Sequence, residues 1–463
     1  MSVSAEKYYS IYKNNSIQAT FSQSSIDSVR PSSSDIKLHH NGSFTTIPRS
    51  DVDSLVFLDY NPDLSALGIA NCYVAPTAGD YIFSTKLNDN SIKAGDNADY
   101  LWTDVERTWA NNGGKMEVTA AVEPMDHEYI IKNIAYNADN NTIAFTATGN
   151  VGNAVIALYT ENAGERTIVW SWHIWSSGYT IDQMSVAGWR STLLDANNES
   201  LTWLDRNIGA INNSMDNAGS YGFVYQWGRK DPFVFSTTVG QKTNPGGTDE
   251  ATAFSTLTMP TKTNEAFAAG FEVDATLVTV AEVAQSPMKF YLSSGNWATN
   301  IPVTAWGDGI APFATFDGYL KDTDPNENYT DGVRAGSKSI YDPCPSGYRV
   351  PTCEEMWLSF AGANYTSGSY SSLFSNVTST MSTLTNSHLI DCSTDECVKI
   401  LLPASGHRDN GKVDGLGSAA YYQTSTIDPQ KPAQAFRQLV GSNTRVEGSG
   451  TFGFARPVRC VKE

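Results

Sequence analysis

The sequence predicts a multidomain, mainly β protein with some α+β character. A chain of 463 residues is too long for one ordinary domain. Hydrophobic residues make up 40% and charged residues only 17%, and the abundant Gly, Ser, Thr, Asn and Tyr favour strands joined by polar turns. Strand-like runs separated by Asp, Asn and Gly also outnumber the segments with helical character.

A repeat occupies the first part of the chain, for which we predict an N-terminal docking segment over 1–60. Residues 11–29 and 37–55 align at a spacing of 26, and the matched pairs are Asn15/Asn41, Thr20/Thr46, Ser24/Ser50, Asp27/Asp53 and Ser28/Ser54. Each copy predicts a strand, an Asn turn, a second strand and a Ser-capped helical turn. So small a unit cannot bury its apolar face alone, so we expect the copies to stack on each other or on a partner. The alternative is an accidental likeness of two hairpins.

The next segment, 61–180, predicts a β-sandwich. Its strand-like runs are YIFST, MEVTAAV, TIAFTATG, AVIALYT and TIVWSWHIW. Strand alternation places Trp170 and Trp172 on one face of the last run and His173 and Trp175 on the other. In such a strand we expect His173 to be a hydrogen-bonded structural residue and not a ligand.

The remainder, 181–463, predicts short strands with much irregular chain. Only two stretches have helical character, 275–285 and 353–362. In the second, Thr352 is the expected N-cap, and Glu354 and Glu355 fall in the first turn, where the helix dipole favours them.

The charge balance argues against two classes of partner. Thirty-one Lys and Arg against 49 Asp and Glu give a net charge of −18, which repels nucleic acid and anionic membranes.

No run of eighteen apolar residues predicts a membrane span, and the first residues lack the features of a signal peptide. We therefore expect either a chain without its leader or a virion component released by lysis.

Six cysteines are too sparse for a disulfide scaffold and are not spaced as a zinc site. Two pairs are candidates for disulfides, Cys344 with Cys460 and Cys392 with Cys397. The alternative is that most of the cysteines are free buried thiols.

Candidate chemistry is weak throughout, so we expect no catalytic residue, no metal and no cofactor. His407 lies in a suggestive context, but no nucleophile elbow accompanies it. The acidic stretch DTDPNENYTDG begins like a calcium loop and then departs from it at Glu327 and Val333. That stretch predicts a solvated loop, or at most a weak cation site. The Gly-rich segments NPGG and GSGTFG lack the order of a phosphate loop.

Five motifs occur in order along the last 260 or so residues: LTWLDRNIGA, YGFVYQWGRKDPF, YDPCPSGYRVPT, LLPASGHRDNGKVDGLGSAAYYQTST and FGFARPVRCVKE. Together they resemble the Fibrobacter succinogenes major paralogous domain of Bacteroidota surface proteins. The resemblance implies a C-type-lectin-like domain over 181–463 and a role in display and binding. It carries over no catalytic residue, since Cys344 and Cys460 lack the context of an oxidase of that architecture.

The earlier segments also have counterparts in such surface proteins. Residues 69–84 and 152–175 resemble the sandwich that precedes this domain, and residues 37–57 resemble the short N-terminal segment. Here that segment is duplicated, and no lipoprotein cysteine precedes it. This departure favours a phage virion over a lipid-anchored protein.

The second motif, YGFVYQWGRKDPF, then predicts scaffold and not an active site. Tyr225 and Trp227 are expected to bury their rings, and residues 228–232 to form a turn. Arg229 and Asp231 are expected to pair across that turn or to bind backbone groups.

The resemblance places the adaptable contacts on the last strands, roughly 421–456. The residues predicted to bind a ligand there are Tyr421, Tyr422, Gln423, Ser425, Asn443 and Arg445. The overall expectation is a non-enzymatic virion fibre, spike or decoration protein of a Bacteroidota phage. It would be a homotrimer at the virion surface that docks to other virion proteins and attaches to a host-surface glycan or protein. The alternatives are a fimbrial tip adhesin or surface lipoprotein on the bacterial cell surface, and a glycan-active enzyme.

Overall fold

A computed structural model gives the fold of the chain. The structure describes residues 8–13, 16–22, 28–40, 43–52, 54–58, 63–105, 109–112, 115–118, 130–187, 201–215, 218–234, 273–287, 289–310, 336–360, 377–382, 386–392, 399–409, 412–441 and 444–463. Over these ranges the protein is mainly β and is built from several separate sheets, which confirms the predicted class. No helix in the described ranges combines the length and apolarity that a membrane span requires.

The N-terminal strands are β1 (Tyr8–Lys13), β2 (Ser16–Ser22), β3 (Ser28–Pro31), β4 (Asp35–His40), β5 (Ser43–Pro48) and β6 (Ser54–Leu58). A 3₁₀ turn, Arg49–Asp51, follows β5, so the second copy of the repeat has the predicted order of strand, strand and helical turn. The predicted Ser cap is wrong, because Pro48 is the N-cap and no side chain caps the turn. The corresponding helical turn of the first copy lies outside the described residues.

The two copies of the repeat exchange strands. Each copy has a hairpin and a third strand, and the third strand pairs with the hairpin of the other copy. Strand β3 of the first copy pairs with β4, while β6 of the second copy pairs with β1. The result is two three-stranded sheets, β2-β1-β6 and β3-β4-β5, each built from both copies.

The strand register corrects the predicted alignment of the repeat. Strands β1 and β4 begin 27 residues apart, at Tyr8 and Asp35, whereas β3 and β6 begin 26 apart. The pairing of β1 with β2 steps from Ile11↔Ala19 to Tyr12↔Ile17, so the first hairpin holds one extra residue. The strand ends that flank the two hairpin turns therefore correspond at a spacing of 27, Lys13 and Ser16 with His40 and Ser43. The predicted pair Asn15/Asn41 lies outside the described residues.

The strands of the next segment are β7 (Cys72–Val74), β8 (Gly79–Ser84), β9 (Asn97–Val105), β10 (Trp109–Asn112), β11 (Lys115–Val118), β12 (Ile131–Asn137), β13 (Thr142–Ala147), β14 (Gly152–Asn162) and β15 (Glu165–Ser176). Strands β10 and β11 form a hairpin of their own, and the others form the two sheets of the sandwich. One sheet has the order β12-β13-β8 and the other β7-β15-β14-β9. An apolar core that includes Phe83, Phe145 and Trp172 lies between them. A β-sandwich is therefore confirmed here, although most of the predicted strand MEVTAAV lies outside the described residues.

Strand β15 contributes to two cores. Trp170 and Trp172 belong to the sandwich core, whereas Trp175 belongs to the large core of the C-terminal region. This is the alternation that the sequence predicts. The four-stranded sheet is thus buried on both faces at β15, and the larger core takes residues from both sides of the predicted boundary at residue 181.

The C-terminal strands are β16 (Ser185–Ala187), β17 (Thr202–Leu204), β18 (Phe223–Gln226), β19 (Phe233–Val234), β20 (Val273–Asp274), β21 (Phe290–Tyr291), β22 (Gly309–Ile310), β23 (Tyr348–Arg349), β24 (Val377–Met381), β25 (His388–Cys392), β26 (Ile400–Leu402), β27 (Ser405–Asp409), β28 (Lys412–Leu416), β29 (Ala420–Ile427), β30 (Gln434–Val440), β31 (Thr444–Thr451), β32 (Ala455–Pro457) and β33 (Val461–Lys462). Half of them join a nine-stranded sheet with the main order β19-β18-β32-β27-β29-β30-β31. Its remaining two strands are β22, which pairs with β29, and β28, which pairs with β27.

The two helical predictions have different outcomes. Helix α2 (Cys353–Phe360) matches its prediction, and the Thr352 hydroxyl accepts a hydrogen bond from Glu355 N at 3.2 Å, as an N-cap does. Helix α1 (Val280–Ala284) is shorter than the predicted stretch because Thr279 and Glu282 form a capping box that sets its start.

A disulfide joins Cys344 to Cys460, with the Cα atoms 5.9 Å apart, so this predicted pair is confirmed. It ties the last strand region to a loop 116 residues earlier in the chain. Cys72 is a free, buried thiol, and Cys353 is also buried. The other predicted pair cannot be followed, since Cys397 and the side chain of Cys392 lie outside the described residues.

Candidate functional site

The motif YGFVYQWGRKDPF is buried as predicted. The rings of Tyr225 and Trp227 are fully buried, and Trp227 Nε1 donates to the carbonyl of Thr424 at 2.9 Å. Gly228 then reverses the chain with φ +82°, where a Cβ would lie 2.8 Å from that of Ala305. This corner positions the three charged residues that follow.

Every N–H of the Arg229 guanidinium donates a hydrogen bond. Nε bonds Asp231 Oδ2 at 2.9 Å, and Nη1 bonds Gln226 Oε1 and the Lys289 carbonyl, both at 2.8 Å. Nη2 bonds two further carbonyls, those of Ser286 and Pro287, at 3.1 and 3.0 Å. The guanidinium therefore holds the loop before β21 against the turn after β18, through the carboxylate and backbone bonds predicted for it.

Lys230 ties the same turn to the sandwich. Its ammonium group donates to the Ser171 carbonyl at 3.0 Å, to the Ser171 hydroxyl at 2.5 Å and to Asp231 Oδ1 at 2.6 Å. Burial raises the pKa of Asp231, but Lys230 and Arg229 outweigh it and hold that pKa below its usual range. The cluster is thus an ionised network with its donors occupied.

A small cavity adjoins this network and is lined by Arg229, Lys230, Asp231, Val280, Val283, Ala284, Trp297 and Tyr341. Its volume of ≈ 10 Å³ is room for a single water at most. No substrate could enter a cavity of this size, so the role of the motif is structural: it connects the turn after β18 to the sandwich and to the loop before β21.

His173 also has a structural environment. Its Nε2 shares a 2.8 Å hydrogen bond with Asn153 Oδ1, and its ring contacts the edge of Phe223. Burial lowers its pKa from 6.5 to about 3, so the imidazole is neutral. The prediction that His173 is a hydrogen-bonded structural residue is confirmed.

Three of the residues predicted as exposed ligand contacts are buried, and that expectation is wrong for them. Tyr422 donates its hydroxyl to the Pro403 carbonyl at 3.0 Å, and Gln423 Nε2 donates to the Tyr225 carbonyl at 2.6 Å. Ser425 donates its hydroxyl to the Pro351 carbonyl at 3.2 Å. The physical reason is that β29 is an interior strand of the nine-stranded sheet, so neighbouring strands and loops cover these side chains.

Of the other three predicted residues, Tyr421 is partly exposed. The strand register places Tyr421 opposite Leu439, and Leu439 opposite Arg445, so Tyr421 and Arg445 occupy one row across β29, β30 and β31. Asn443 and the side chain of Arg445 lie outside the described residues. Ligand binding by these three residues stays a prediction.

A constellation that the sequence did not single out surrounds Tyr421. We name it the basic cluster and define it as His407, Tyr421, Arg437, Phe454 and Arg456. The guanidinium carbon of Arg437 lies 4.2 Å from the centroid of the Tyr421 ring, and that of Arg456 lies 5.2 Å from the Phe454 ring. The imidazole of His407 is close to both rings, with its centroid 5.1 Å from that of Tyr421 and 6.4 Å from that of Phe454.

Gly450 brings the two arginines of the basic cluster together. A Cβ at Gly450 would lie 2.7 Å from Arg437 Nη1 and 2.7 Å from Arg456 Nη2. The two guanidinium groups thus share the space that a side chain there would fill. Arg456 is nearly fully buried and also donates from Nη1 to the Thr451 carbonyl at 2.8 Å.

His407 is neutral within the basic cluster. Burial, together with the positive charges of Arg456 and Arg437, lowers its pKa to about 3. Its Nδ1 atom is buried and has no hydrogen-bond partner in the part of the chain that the structure describes. A neutral imidazole with a free ring nitrogen can exchange one hydrogen bond with a ligand.

The sequence pointed to Tyr421 and His407 separately, but it did not reveal their grouping with Arg437, Phe454 and Arg456, because these residues are spread along the chain from β27 to β32. The only usable signal in the sequence was the alternation of side chains with a period of two in β29 and β30. This alternation assigns each side chain to one face of the sheet, but it does not determine the register that pairs Gln423 with Arg437. Within the described ranges, no group of three or more His, Cys, Asp and Glu side chains is arranged to hold a metal ion. Comparison of the chain with protein-family models, curated proteins and solved structures found no match.

Proposed function

We propose that this chain is a non-enzymatic attachment protein that presents the basic cluster to a host-surface glycan or protein. Its setting, on this proposal, is the surface of a virion of a Bacteroidota phage, where it serves as a fibre, spike or decoration protein. The C-terminal region would be the C-type-lectin-like display domain that the five sequence motifs resemble.

The basic cluster is the observation that carries the proposal. It combines two aromatic rings that are partly exposed with two guanidinium groups and a neutral imidazole. Rigid rings beside adaptable hydrogen-bonding groups are typical of recognition surfaces. The nine-stranded sheet supplies the rigid support, so recognition would not depend on ordering a loop.

The N-terminal repeat supports docking to other virion proteins. Because its two copies complete each other's sheets, they form a unit that does not borrow a strand from the sandwich within the described residues. Its outer strands retain edges on which a partner could add a strand. Assembly as a homotrimer would give several copies of a weak site and raise the avidity of attachment.

The disulfide supports a location outside the reducing cytoplasm. Such bonds form and persist in oxidising surroundings, which include secreted proteins, cell surfaces and virions. A bacterial surface location is equally compatible with this bond.

The test is attachment of the purified chain to cells of candidate Bacteroidota hosts. We expect saturable binding by the full chain and loss of binding in Tyr421→Ala. The matched control is Tyr179→Ala, which also removes a tyrosine that contacts an arginine. The guanidinium carbon of Arg206 lies 4.7 Å from the centroid of the Tyr179 ring. Equal binding by all three proteins, or none by the full chain, would contradict the proposal. A monomer in light scattering would contradict the trimer.

Two alternatives make different predictions. A fimbrial tip adhesin or surface lipoprotein would be located on the bacterial envelope, and imaging the protein in situ separates that location from a virion. A glycan-active enzyme would turn over a host polysaccharide. Product release in a screen of such polysaccharides would favour the enzyme and contradict simple attachment.

A further inference from the structure

We infer that the outer face of the β3-β4-β5 sheet docks against the acidic surface of a second copy of this chain in a head-to-tail contact. The outer face is the side of this sheet opposite Ile36 and Leu38. Strand alternation assigns to it Ser28, Arg30, Asp35, Lys37, His39, Phe44, Thr46 and Pro48. The inference names the contact that would build the proposed homotrimer, so it rests on the proposed function.

The first step is the difference between the two faces of the sheet. On the inner side Leu38 is fully buried and Ile36 is nearly so, and both belong to an apolar core. On the outer face Phe44 is 56% exposed, and Arg30 is exposed too. One face of the sheet is therefore covered, while these residues of the other face are open to solvent and accessible to a partner.

The second step is the charge of the outer face. The register places Arg30 directly opposite Lys37, and like charges in this position repel each other. Neither side chain forms an ion pair within the part of the chain that the structure describes. Asp35, on the same face, already accepts hydrogen bonds from the hydroxyl groups of Ser32 at 2.8 Å and Ser34 at 3.2 Å. Carboxylates supplied by a partner would offset the repulsion between the two cations.

The third step is the aromatic ring beside the cations. Lys37 Nζ lies 5.0 Å from the centroid of the Phe44 ring, and the centroid of the His39 ring lies 5.7 Å from it. An acidic protein surface complements both the ring and the cations, because it carries apolar groups among its carboxylates. A polyanion without apolar groups complements the cations alone, so a protein is the better-fitting partner.

The fourth step is the source of the acidic partner. Residues 1–60 hold five Lys and Arg and six Asp and Glu, a net charge of −1. The other 403 residues hold the remaining 26 Lys and Arg and 43 Asp and Glu, a net charge of −17. A second copy of the chain therefore always offers an acidic surface to the outer face. At about 0.15 M salt, charges interact over only about 8 Å, so the local match outweighs the repulsion between the two net charges.

Charge also determines the symmetry of the contact. Two outer faces do not pair with each other, because that contact would bring the cations of both copies together. The outer face of one copy must meet a different, acidic surface of the next copy. A contact between unlike surfaces closes into a ring when the rotation between copies allows it. A ring of three copies is the homotrimer of the proposed function.

Charge reversal tests the contact in the full chain. Arg30→Glu/Lys37→Glu makes the pair of cations acidic, and Phe44→Ala removes the exposed ring. The matched control is Lys132→Glu/Lys431→Glu, which changes the net charge equally at two exposed lysines outside the N-terminal repeat. Thermal unfolding of each variant establishes that it is folded.

Sedimentation of the unmodified chain is expected to show an oligomer in about 0.15 M salt and a monomer in about 1 M salt, where the charges are screened. Arg30→Glu/Lys37→Glu is expected to weaken self-association about a hundredfold, as like charges across an interface do. Phe44→Ala is expected to weaken it about fivefold. The control pair should assemble as the unmodified chain does.

Cross-linking tests the head-to-tail arrangement. A photoreactive analogue of phenylalanine at position 44 is introduced into the full chain, and isotope-labelled and unlabelled copies are mixed. Mass spectrometry is expected to find cross-links between copies, from position 44 of one copy to a peptide within 61–463 of the other. Cross-links between copies that reach only residues 28–48 would contradict the head-to-tail contact.

Two further results would overturn the inference. One is assembly of Arg30→Glu/Lys37→Glu equal to that of the unmodified chain, in which case this contact is wrong and the homotrimer stands. The other is equal dissociation of the control pair, which would assign the effect to net charge alone. If the unmodified chain is a monomer at every salt concentration, the contact and the homotrimer are both wrong. Binding to host cells then still decides the attachment function separately.

Discussion

Arg229 donates from Nε to Asp231 Oδ2 at 2.9 Å, and both side chains are buried. Lys230 bonds the other carboxylate oxygen of Asp231 at 2.6 Å. The buried carboxylate of Asp231 thus pairs with two buried cations, Arg229 and Lys230. The bonds of these three side chains connect strand β15, the turn after β18 and the loop before β21.

Asp231→Ala is expected to destabilise the fold strongly, because it leaves two buried cations without their anion. We expect the free energy of unfolding in urea to fall by about 3 to 5 kcal/mol. The control is Lys289→Ala, which removes a pair with Asp274 whose lysine is 55% exposed and which should cost less than about 1 kcal/mol. Similar losses in the two variants would contradict the structural role assigned to the motif.

Reduction of the Cys344–Cys460 disulfide is expected to lower stability. The bond closes a loop with a sequence separation of 116, and loop-closure entropy predicts a loss of about 5 kcal/mol, with strain and residual structure reducing it. Unfolding of Cys344→Ser/Cys460→Ser, compared with the unmodified chain, measures it. If the unmodified chain unfolds identically with and without reductant, the pairing is wrong.

Acid is expected to weaken the fold through His173. Its pKa is about 3 in the folded chain and 6.5 when unperturbed, so between these values the unfolded chain binds the extra proton. The stability that neutral His173 contributes is therefore complete above pH 6.5 and is lost as the pH falls towards 3.

In His173→Gln, the free energy of unfolding should depend less steeply on pH between pH 7 and 5 than it does in the unmodified chain. Near pH 5 the difference in slope should be about 1 kcal/mol per pH unit. Urea unfolding at several pH values measures the slope. The control is His39→Gln, since His39 belongs to the N-terminal strands and lies against Phe44. An unchanged slope in His173→Gln would show that this imidazole is not buried and neutral.

The exchanged strands of the N-terminal repeat predict an asymmetric response to truncation. Deleting residues 1–27 removes β1 and β2, so β6 loses its partner while β3-β4-β5 stays complete. Amide hydrogen exchange should therefore quicken in 54–58 and stay slow in 36–47. If each copy formed its sheet alone, the same deletion would expose β3 and leave β6 unaffected.

Local patterns in the sequence determined much of the scaffold. A period of two in β15 assigned Trp170, Trp172, His173 and Trp175 to the correct faces, because alternation depends only on the strand itself. The cap at Thr352 likewise involves residues three apart. The pairing of Arg229 with Asp231 spans a single turn, which sequence neighbours can specify.

Only the tertiary structure decided what is exposed on β29 and what surrounds it. Tyr422, Gln423 and Ser425 look suited to recognition, yet they are buried because strands and loops far along the chain cover them. The same long-range register brings His407, Arg437 and Arg456 around Tyr421. Sequence fixes the period within a strand, whereas burial and side-chain clustering depend on which strands pair and in what register, and those choices follow from packing of the whole sheet.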